Sequence, residues 1–239
     1  MGPQKVIEAI RAGQHLDRIY VDTRANSESL TELKQLASGA GVPINYVPAA
    51  KLNSFNVPDH HGCIALIAKV QYYDLQEVIS FVVEKGESPL LLILDGITDI
   101  RNIGGIARTA YCMGVQALII PDKGVAALNE DAILTSAGAL ENLAVCRVQS
   151  LVQAIDVLHE NGIKVFASEM TAAKELGRCD FKDPVAIVMG SEEHGIHPTV
   201  MKICDEHLRI PMPGNFESLN VSVATGIILY EAARQRMTQ

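Results

Sequence analysis

Several patterns that mark common protein classes are absent from this sequence of 239 residues. No apolar run reaches the roughly 18–20 residues that a membrane-spanning helix needs, and the first residues, MGPQKVIEAI, do not have the pattern of a signal peptide. The five cysteines are dispersed without a C-x-x-C pair. This predicts reduced thiols, no bound metal and a cytosolic protein.

The glycine patterns of common nucleotide-binding folds are also missing. The segment NIGGIAR, 102–108, has the wrong spacing for G-x-G-x-x-G, and no G-x-x-x-x-G-K-[ST] phosphate loop occurs. A nucleotide-dependent oxidoreductase is therefore disfavoured. The adjacent carboxylates Glu192 and Glu193 cannot face each other on a regular element, so a hydrolase with two catalytic carboxylates is not supported.

The charge of the chain is unevenly distributed. The formal net charge is −8, which taken alone argues against a nucleic-acid partner. Residues 1–72, however, hold seven Lys/Arg and six Asp/Glu, so the acidic excess lies in the remainder of the chain. The first third is the expected region of contact with a polyanion, although an ordinary solvated surface would have the same balance.

Strand and helix signals alternate along the chain and change in character after residue 72. Short elements predict a small α/β domain over 1–72, and a polar segment around a short apolar stretch predicts a linker over 73–89. From 90 to 239 the strands become continuous apolar runs, typical of parallel strands buried on both faces. The sequence predicts strands at 90–94, 117–121, 143–148, 164–169, 185–190 and 207–212. With helices between most of them, the predicted fold is an α/β, doubly wound, mostly parallel sheet.

Polar loops follow three of these strands, and ligands of such sheets bind in loops at the carboxyl ends of strands. The first loop leads into a helix that Asn102 can cap, and Gly104 and Gly105 allow a neighbouring backbone to come close. Arg108 in this helix is by its residue type as easily a solvated charge. The second loop, within IVMGSEEHGI, has a turn at 190–195 that would expose backbone N–H groups.

The third loop lies in RIPMPGNFESLNVSVATGIILYEAARQR, residues 209–236. Ser218 or Asn220 can cap the helix that follows it. Gly226 within that helix costs about 0.8–1 kcal/mol relative to alanine. Such a cost indicates a packing role, either within the fold or at a subunit interface.

Three segments together are more specific than any one loop. In this order, DIRNIGGIARTA, IVMGSEEHGI and IPMPGNFESLNVSVATGIILYEAARQ resemble the signature motifs of the SpoU (TrmH-type) RNA 2′-O-ribose methyltransferases of the SPOUT class. The resemblance covers about 90–239. Residues 1–72 look like the small L30e-like substrate-binding domain that many members carry, and the two-domain arrangement is most similar to bacterial 23S rRNA guanosine 2′-O-methyltransferases.

This resemblance implies methyl transfer from S-adenosyl-L-methionine to a ribose 2′-hydroxyl of RNA, with a guanosine of 23S rRNA as the expected target. It also implies a C-terminal trefoil knot and a cytoplasmic homodimer without a metal ion. Two alternatives stay open. The substrate could be tRNA, or the protein could be a non-catalytic RNA-binding factor of ribosome assembly.

The motifs also imply roles for individual residues. Arg108 is expected to accept the proton of the 2′-hydroxyl or to hold the substrate phosphate, and the second role is physically simpler because arginine stays protonated. The other residues expected at the catalytic site are Asn102, Glu192, Ser218 and Asn220. The residues expected to bind the cofactor are Gly190, Ile210, Leu219, Met189, Met212 and Ser222.

RNA contacts are expected mainly in the first domain, because proteins read RNA largely through exposed loops and shape. The candidate cations are Arg11, Arg18, Arg24 and Lys51, although exposure is the default state of such residues. His60 and His61 could form a metal pair, but a junction between a loop and a strand is the expected role.

Overall fold

The computed structural model describes residues 2–214 and 218–237. The chain forms two compact units, Met1–Lys69 and Val70–Gln239, and each has its own sheet and core. None of the described helices is both long and apolar enough to cross a bilayer.

The first unit is a small sheet with helices. In the described residues its strands lie in the order β2 (Ile44–Val47), β1 (Leu16–Asp22), β3 (Cys63–Ile67). Strand β1 runs parallel to β2 and antiparallel to β3. The helices are α1 (Pro3–Arg11), α2 (Glu28–Gly39) and α3 (Ala49–Asn53). Ser27 caps α2 by accepting a hydrogen bond from the N–H of Leu30 at 3.3 Å, and Ile7, Ile19 and Leu33 are fully buried in the core.

The second unit contains a larger parallel sheet. Over the described part of the chain, its strand order is β6-β5-β4-β9-β7-β10-β8, and every paired strand is parallel to its neighbour. The strands are β4 (Leu90–Asp95), β5 (Ala117–Pro121), β6 (Ala144–Val148), β7 (Lys164–Ser168), β8 (Lys174–Glu175), β9 (Val185–Gly190) and β10 (Glu206–Arg209). The helices are α4 (Leu75–Glu84), α5 (Ile100–Cys112), α6 (Glu130–Thr135), α7 (Leu151–Glu160), α8 (Pro198–Met201) and α9 (Val221–Arg236).

Both faces of the larger sheet are covered. Successive residues of β4 enter different cores, with Leu90, Leu92 and Leu94 in one and Leu91 and Ile93 in the other. Side chains of α5, α6 and α9 belong to the first core, and those of α4, α7 and α8 to the second. Because a buried strand has no solvent-facing side, its residues do not alternate in polarity. The prediction of a doubly wound, mostly parallel α/β sheet is confirmed.

The segment predicted as a linker, 73–89, differs in the structure. It contains α4, which begins where the Asp74 side chain accepts a hydrogen bond from the N–H of Glu77 at 3.1 Å. Leu75, Val78, Ile79 and Val82 of this helix are buried in the second unit. The polar residues of α4 lie on its outer side. Their number made the segment look like a linker in sequence, although the helix packs on the sheet.

The start of α5 also corrects a prediction. Asp99, not Asn102, caps this helix, because its Oδ1 accepts the N–H of Arg101 at 2.8 Å. Asn102 lies inside the first turn, where its side chain is available for other contacts.

The order of the central strands positions the functional site. Strand β4 has β5 on one side and β9 on the other, and Asp95 and Gly190 are register partners at the carboxyl ends of β4 and β9. The carboxyl ends of neighbouring parallel strands lie at one edge of the sheet, where ligands of such sheets bind. The predicted trefoil knot involves the loop at 211–220, of which 215–217 lie outside the described residues, and it stays a prediction.

Candidate functional site

A cavity of about 680 Å³ opens at the carboxyl ends of β7, β9 and β10. Its wall combines methionine, isoleucine and leucine side chains with carboxylates and amides. Eight of the predicted site residues line it: Met189, Gly190, Glu192, Ile210, Met212, Ser218, Leu219 and Asn220. The second and third motif segments, which are separate in sequence, thus form one site.

Gly190 allows the second loop to turn back onto the end of β9. A Cβ atom at this position would lie 2.2 Å from the carbonyl carbon of Gly195 and 2.3 Å from the nitrogen of Ile196. The loop is closed by paired backbone hydrogen bonds, from Ser191 N to Gly195 O at 3.1 Å and from Gly195 N to Ser191 O at 2.9 Å. The need for glycine at 190 is therefore steric, and the closed turn places Glu192 in the cavity wall.

One oxygen of Glu192 joins all three motif segments. Its Oε1 accepts hydrogen bonds from Asn220 Nδ2 at 2.6 Å, from Asn102 Nδ2 at 3.2 Å and from the backbone N–H of Val221 at 3.3 Å. Asn220 Nδ2 also donates to Asn102 Oδ1 at 3.0 Å. We call Asn102, Glu192 and Asn220 the polar cluster, and each of its members was predicted as a site residue.

The polar cluster lies at the beginning of α9. Asn220 Oδ1 caps this helix by accepting the N–H groups of Ser222 at 3.0 Å and Val223 at 3.4 Å. The N-terminal end of a helix carries partial positive charge, so the carboxylate of Glu192 is favourably placed there. The same asparagine therefore begins the helix and orients the carboxylate.

Three predicted residues lie outside the cavity wall. Asn102 reaches the site through the polar cluster, and Ser222 through a hydrogen bond from its hydroxyl to Asn220 Oδ1. Arg108 is different: it is exposed on α5, and in the described chain it is not among the residues that line the cavity. The single chain therefore does not bring Arg108 to the cavity.

The cations predicted to contact RNA fall into two groups. Arg11 pairs with Glu32 at 2.6 Å, and Arg18 pairs with the buried Asp17 at 2.9 Å. Arg24 and Lys51 are exposed, and the Lys51 ammonium lies 5.4 Å from the ring centroid of Phe55. A second lysine–aromatic contact, unforeseen from sequence, places Lys34 Nζ 5.4 Å from the ring of Tyr46.

His60 holds the loop before β3. Its Nδ1 accepts the N–H of Gly62 at 3.1 Å, and its Nε2 lies 3.0 Å from Asn53 Oδ1. In the part of the chain that the structure describes, no group of three His, Cys, Asp or Glu side chains is placed to hold a metal ion.

The end of β7 and the loop after it also line the cavity, through Ser168, Glu169 and Met170. These residues were not predicted to belong to the site. The only sequence signal was their position at the carboxyl end of the strand predicted at 164–169, and the ends of several other predicted strands share that signal.

A doubly wound parallel sheet with a loop-lined cavity at its carboxyl ends defines the class, an α/β ligand-binding protein. Residues 89–230 match the family model described as "SpoU rRNA Methylase family", and residues 1–73 match the one described as "RNA 2'-O ribose methyltransferase substrate binding". The chain belongs to the SpoU rRNA methylase family, a family of RNA methyltransferases.

Relatives of known name and solved structure agree with this assignment. YacO of Bacillus subtilis, named as a TrmH-family tRNA/rRNA methyltransferase, is 33% identical over 99% of this chain and 95% of its own length. The SpoU methyltransferase AviRb of Streptomyces viridochromogenes, crystallised with AdoMet, is 24% identical with a TM-score of 0.65, over 99% of this chain and 88% of that one. The A. aeolicus TrmH/SpoU tRNA modifying enzyme is 32% identical with a TM-score of 0.58, over 69% of this chain and 81% of that one.

Proposed function

We propose that this protein transfers a methyl group from S-adenosyl-L-methionine to a ribose 2′-hydroxyl of RNA. The observation that carries the proposal is the joining of the three motif segments by Glu192 Oε1 at the edge of one cavity. An enzyme needs such a site, whereas a factor that only binds RNA has no use for it. The intact polar cluster thus favours the enzyme over the non-catalytic assembly factor.

The cavity fits the cofactor in size and in chemistry. Its volume of about 680 Å³ is in the range of sites for drug-sized ligands. The side chains of Met189, Ile210 and Leu219 offer apolar surface to an adenine ring, and the carboxylate of Glu192 complements a positively charged sulfonium. When bound, this cofactor supplies both the methyl group and its leaving group.

The residues of the chain then have to position the acceptor and assist the loss of its proton. The polar cluster fixes the start of α9 and the second loop relative to each other. Arginine carries a planar, positively charged group that binds phosphate well, so the simplest role of Arg108 is to hold a phosphate of the RNA beside the cavity. Ser218, in the cavity wall, contributes a hydroxyl group to the same polar edge.

A homodimer would explain where Arg108 acts. On α9, the apolar side chains of Val223, Ile227 and Tyr230 are 50%, 38% and 57% exposed. Their spacing of i, i+4, i+7 puts them on one face, opposite the buried face of the same helix. A helix that is apolar all round is normally covered on all sides. We infer that a second copy covers this face and that Arg108 completes the site across the interface.

The RNA substrate is proposed to be 23S rRNA, modified at a guanosine, because the two-unit organisation resembles rRNA-modifying members of the family. The likeness to the A. aeolicus tRNA modifying enzyme keeps tRNA as the second candidate. Arg24 and Lys51 are the proposed cations for RNA, because Arg11 and Arg18 already pair with carboxylates.

The reaction is tested by incubating the protein with methyl-labelled S-adenosyl-L-methionine and separate pools of rRNA and tRNA. Mass mapping of ribose methylation in rRNA from a deletion strain would then identify the nucleotide. Label in rRNA supports the proposal, label in tRNA alone selects the second candidate, and label in neither contradicts the enzymatic function.

The role of Arg108 is tested by mixing two variants. Arg108→Ala and Glu192→Gln are each expected to lose methyl transfer, with near-normal cofactor binding in Arg108→Ala. If Arg108 acts across the interface, exchange of subunits should restore about a quarter of wild-type activity, since half the dimers are mixed and each has one intact site. Wild-type turnover of Arg108→Ala would refute the role, and no restoration on mixing would refute its action across the interface.

A further inference from the structure

The loop after β7 brings to the cavity a carboxylate that lies outside the three motifs. Glu169 follows the last residue of β7 directly and lines the cavity with Met170, Met189 and Ile210. Its side chain is 27% exposed. A partly buried carboxylate beside apolar side chains loses hydration and needs hydrogen-bond donors in return.

Strand β10 holds Glu169 from one side, through Leu208 and His207. Its backbone N–H donates to the carbonyl of Leu208 in β10 at 3.0 Å. Its Oε1 lies 2.9 Å from His207 Nδ1, within hydrogen-bond distance. His207 Nε2 lies 3.2 Å from the carbonyl oxygen of Met201, so each nitrogen of the imidazole has an oxygen acceptor beside it.

The second oxygen of Glu169 is available to a ligand. Within residues 2–214 and 218–237, no hydrogen bond to its Oε2 is found. The carboxylate is thus fixed by one oxygen and presents the other at a cavity wall. This is the arrangement of a preorganised acceptor, whose position does not depend on the ligand.

We propose that Glu169 accepts hydrogen bonds from the ribose hydroxyls of the adenosyl cofactor and so determines the preference of the cavity for a ribonucleoside. This inference rests on the proposed function. The apolar residues around Glu169 suit an adenine ring, and the group bonded directly to adenine is the ribose. In other α/β folds a carboxylate near a strand end binds a ribose diol in the same way. His207 is then a positioning residue that acts through Glu169.

The test combines protein variants with ligand variants in binding calorimetry on the full-length chain. The probes are S-adenosylhomocysteine, 5′-methylthioadenosine, which lacks the amino acid group, and the 2′-deoxy form of 5′-methylthioadenosine. The wild type should prefer the ribose form over the deoxy form by about tenfold, the usual value of a hydrogen bond to a charged group. Glu169→Ala should lose this preference. It should bind the two ribose-containing probes, S-adenosylhomocysteine and 5′-methylthioadenosine, about tenfold more weakly.

Two control variants define the outcome. Glu169→Gln retains an acceptor for His207 and should keep part of the preference, which separates the proposed role from misfolding. Glu193→Ala removes another carboxylate of the cavity wall, and the side chain of Glu193 is 87% exposed. This variant should leave the preference for ribose over deoxyribose unchanged.

Three results would overturn the inference. The first is a wild type without preference between ribose and deoxyribose. The second is a Glu169→Ala variant that weakens S-adenosylhomocysteine but not 5′-methylthioadenosine, since the carboxylate would then bind the ammonium group. The third is a wild-type preference that persists in Glu169→Ala. If the wild type binds none of the adenosyl probes, the proposed function itself fails, which is a distinct observation.

Discussion

Single residues of this protein act by linking segments that are far apart in sequence. Glu192 Oε1 accepts hydrogen bonds from Asn102, 90 residues earlier, and from Asn220, 28 residues later. Asn220 also caps α9. Because each of these side chains has more than one partner, replacing one should disturb both the helix start and the cavity wall, and the effects of paired substitutions should not add.

Replacing Gly190 by alanine should disrupt cofactor binding. The added Cβ would lie 2.2 Å from the backbone of Gly195, so the turn that carries Glu192 would have to move. We expect Gly190→Ala to bind S-adenosylhomocysteine at least about tenfold more weakly in calorimetry, because backbone cannot shift as easily as a side chain. Gly162→Ala is the matched control, with φ of 70° but no atom within 4 Å of the added Cβ. Gly162→Ala should lose stability and retain cofactor binding. Normal binding of S-adenosylhomocysteine by Gly190→Ala would contradict the steric argument.

At the scale of elements, the glycines within α5 and α9 occur for different structural reasons. A Cβ on Gly104 of α5 would lie 2.5 Å from the Thr135 Cβ of α6. The two helices can come this close only because residue 104 is a glycine. A Cβ on Gly226 of α9 would lie 3.6 Å from Thr109 Cγ2, which is ordinary contact. The packing role predicted for Gly226 is therefore not a steric requirement within one chain.

The substitution Gly226→Ala should stabilise the chain. Alanine avoids the cost of glycine in a helix interior, so the free energy of unfolding should rise by about 0.5–1 kcal/mol in a denaturant titration. Gly104→Ala provides the comparison, and there overpacking should cost about 1–3 kcal/mol. A destabilising Gly226→Ala would show that another surface, such as that of a partner subunit, approaches this glycine.

The whole molecule consists of two units with separate cores. The division lies at Lys69 and Val70, whereas the sequence predicted a domain end at residue 72. Val70 is 3% exposed and belongs to a core of the second unit, and Tyr72 forms a bridge with Val145 of β6. A shortened chain that keeps only the second unit should therefore retain Val70 and Tyr72.

Removal of residues 2–69 should separate RNA binding from cofactor binding. The cavity is built entirely from residues 168–224, so the shortened chain should bind S-adenosylhomocysteine with wild-type affinity in calorimetry. Its affinity for RNA should fall by about tenfold or more, with a shallower salt dependence if Arg24 and Lys51 contact phosphates. Unchanged RNA affinity would show that the second unit binds RNA alone.

The sequence by itself determined most of the buried strands of the second unit and the three motif segments. Apolar runs such as 90–94 and 185–190 predicted buried parallel strands, and Ser218 or Asn220 was predicted to cap the last helix, because these features depend on neighbours within a few residues. The motif segments identified Glu192 and Gly190 as site residues without indicating what either contacts.

Only the tertiary structure decided which residues meet. It joined Asn102, Glu192 and Asn220 at one oxygen, added Glu169 to the cavity, left Arg108 outside it and made α4 part of a core. Contacts of this kind follow from the order of strands in the sheet, which places loops side by side whatever their separation in the chain. Local periodicity carries no information about that order, because a parallel strand has the same pattern at any position between covered neighbours.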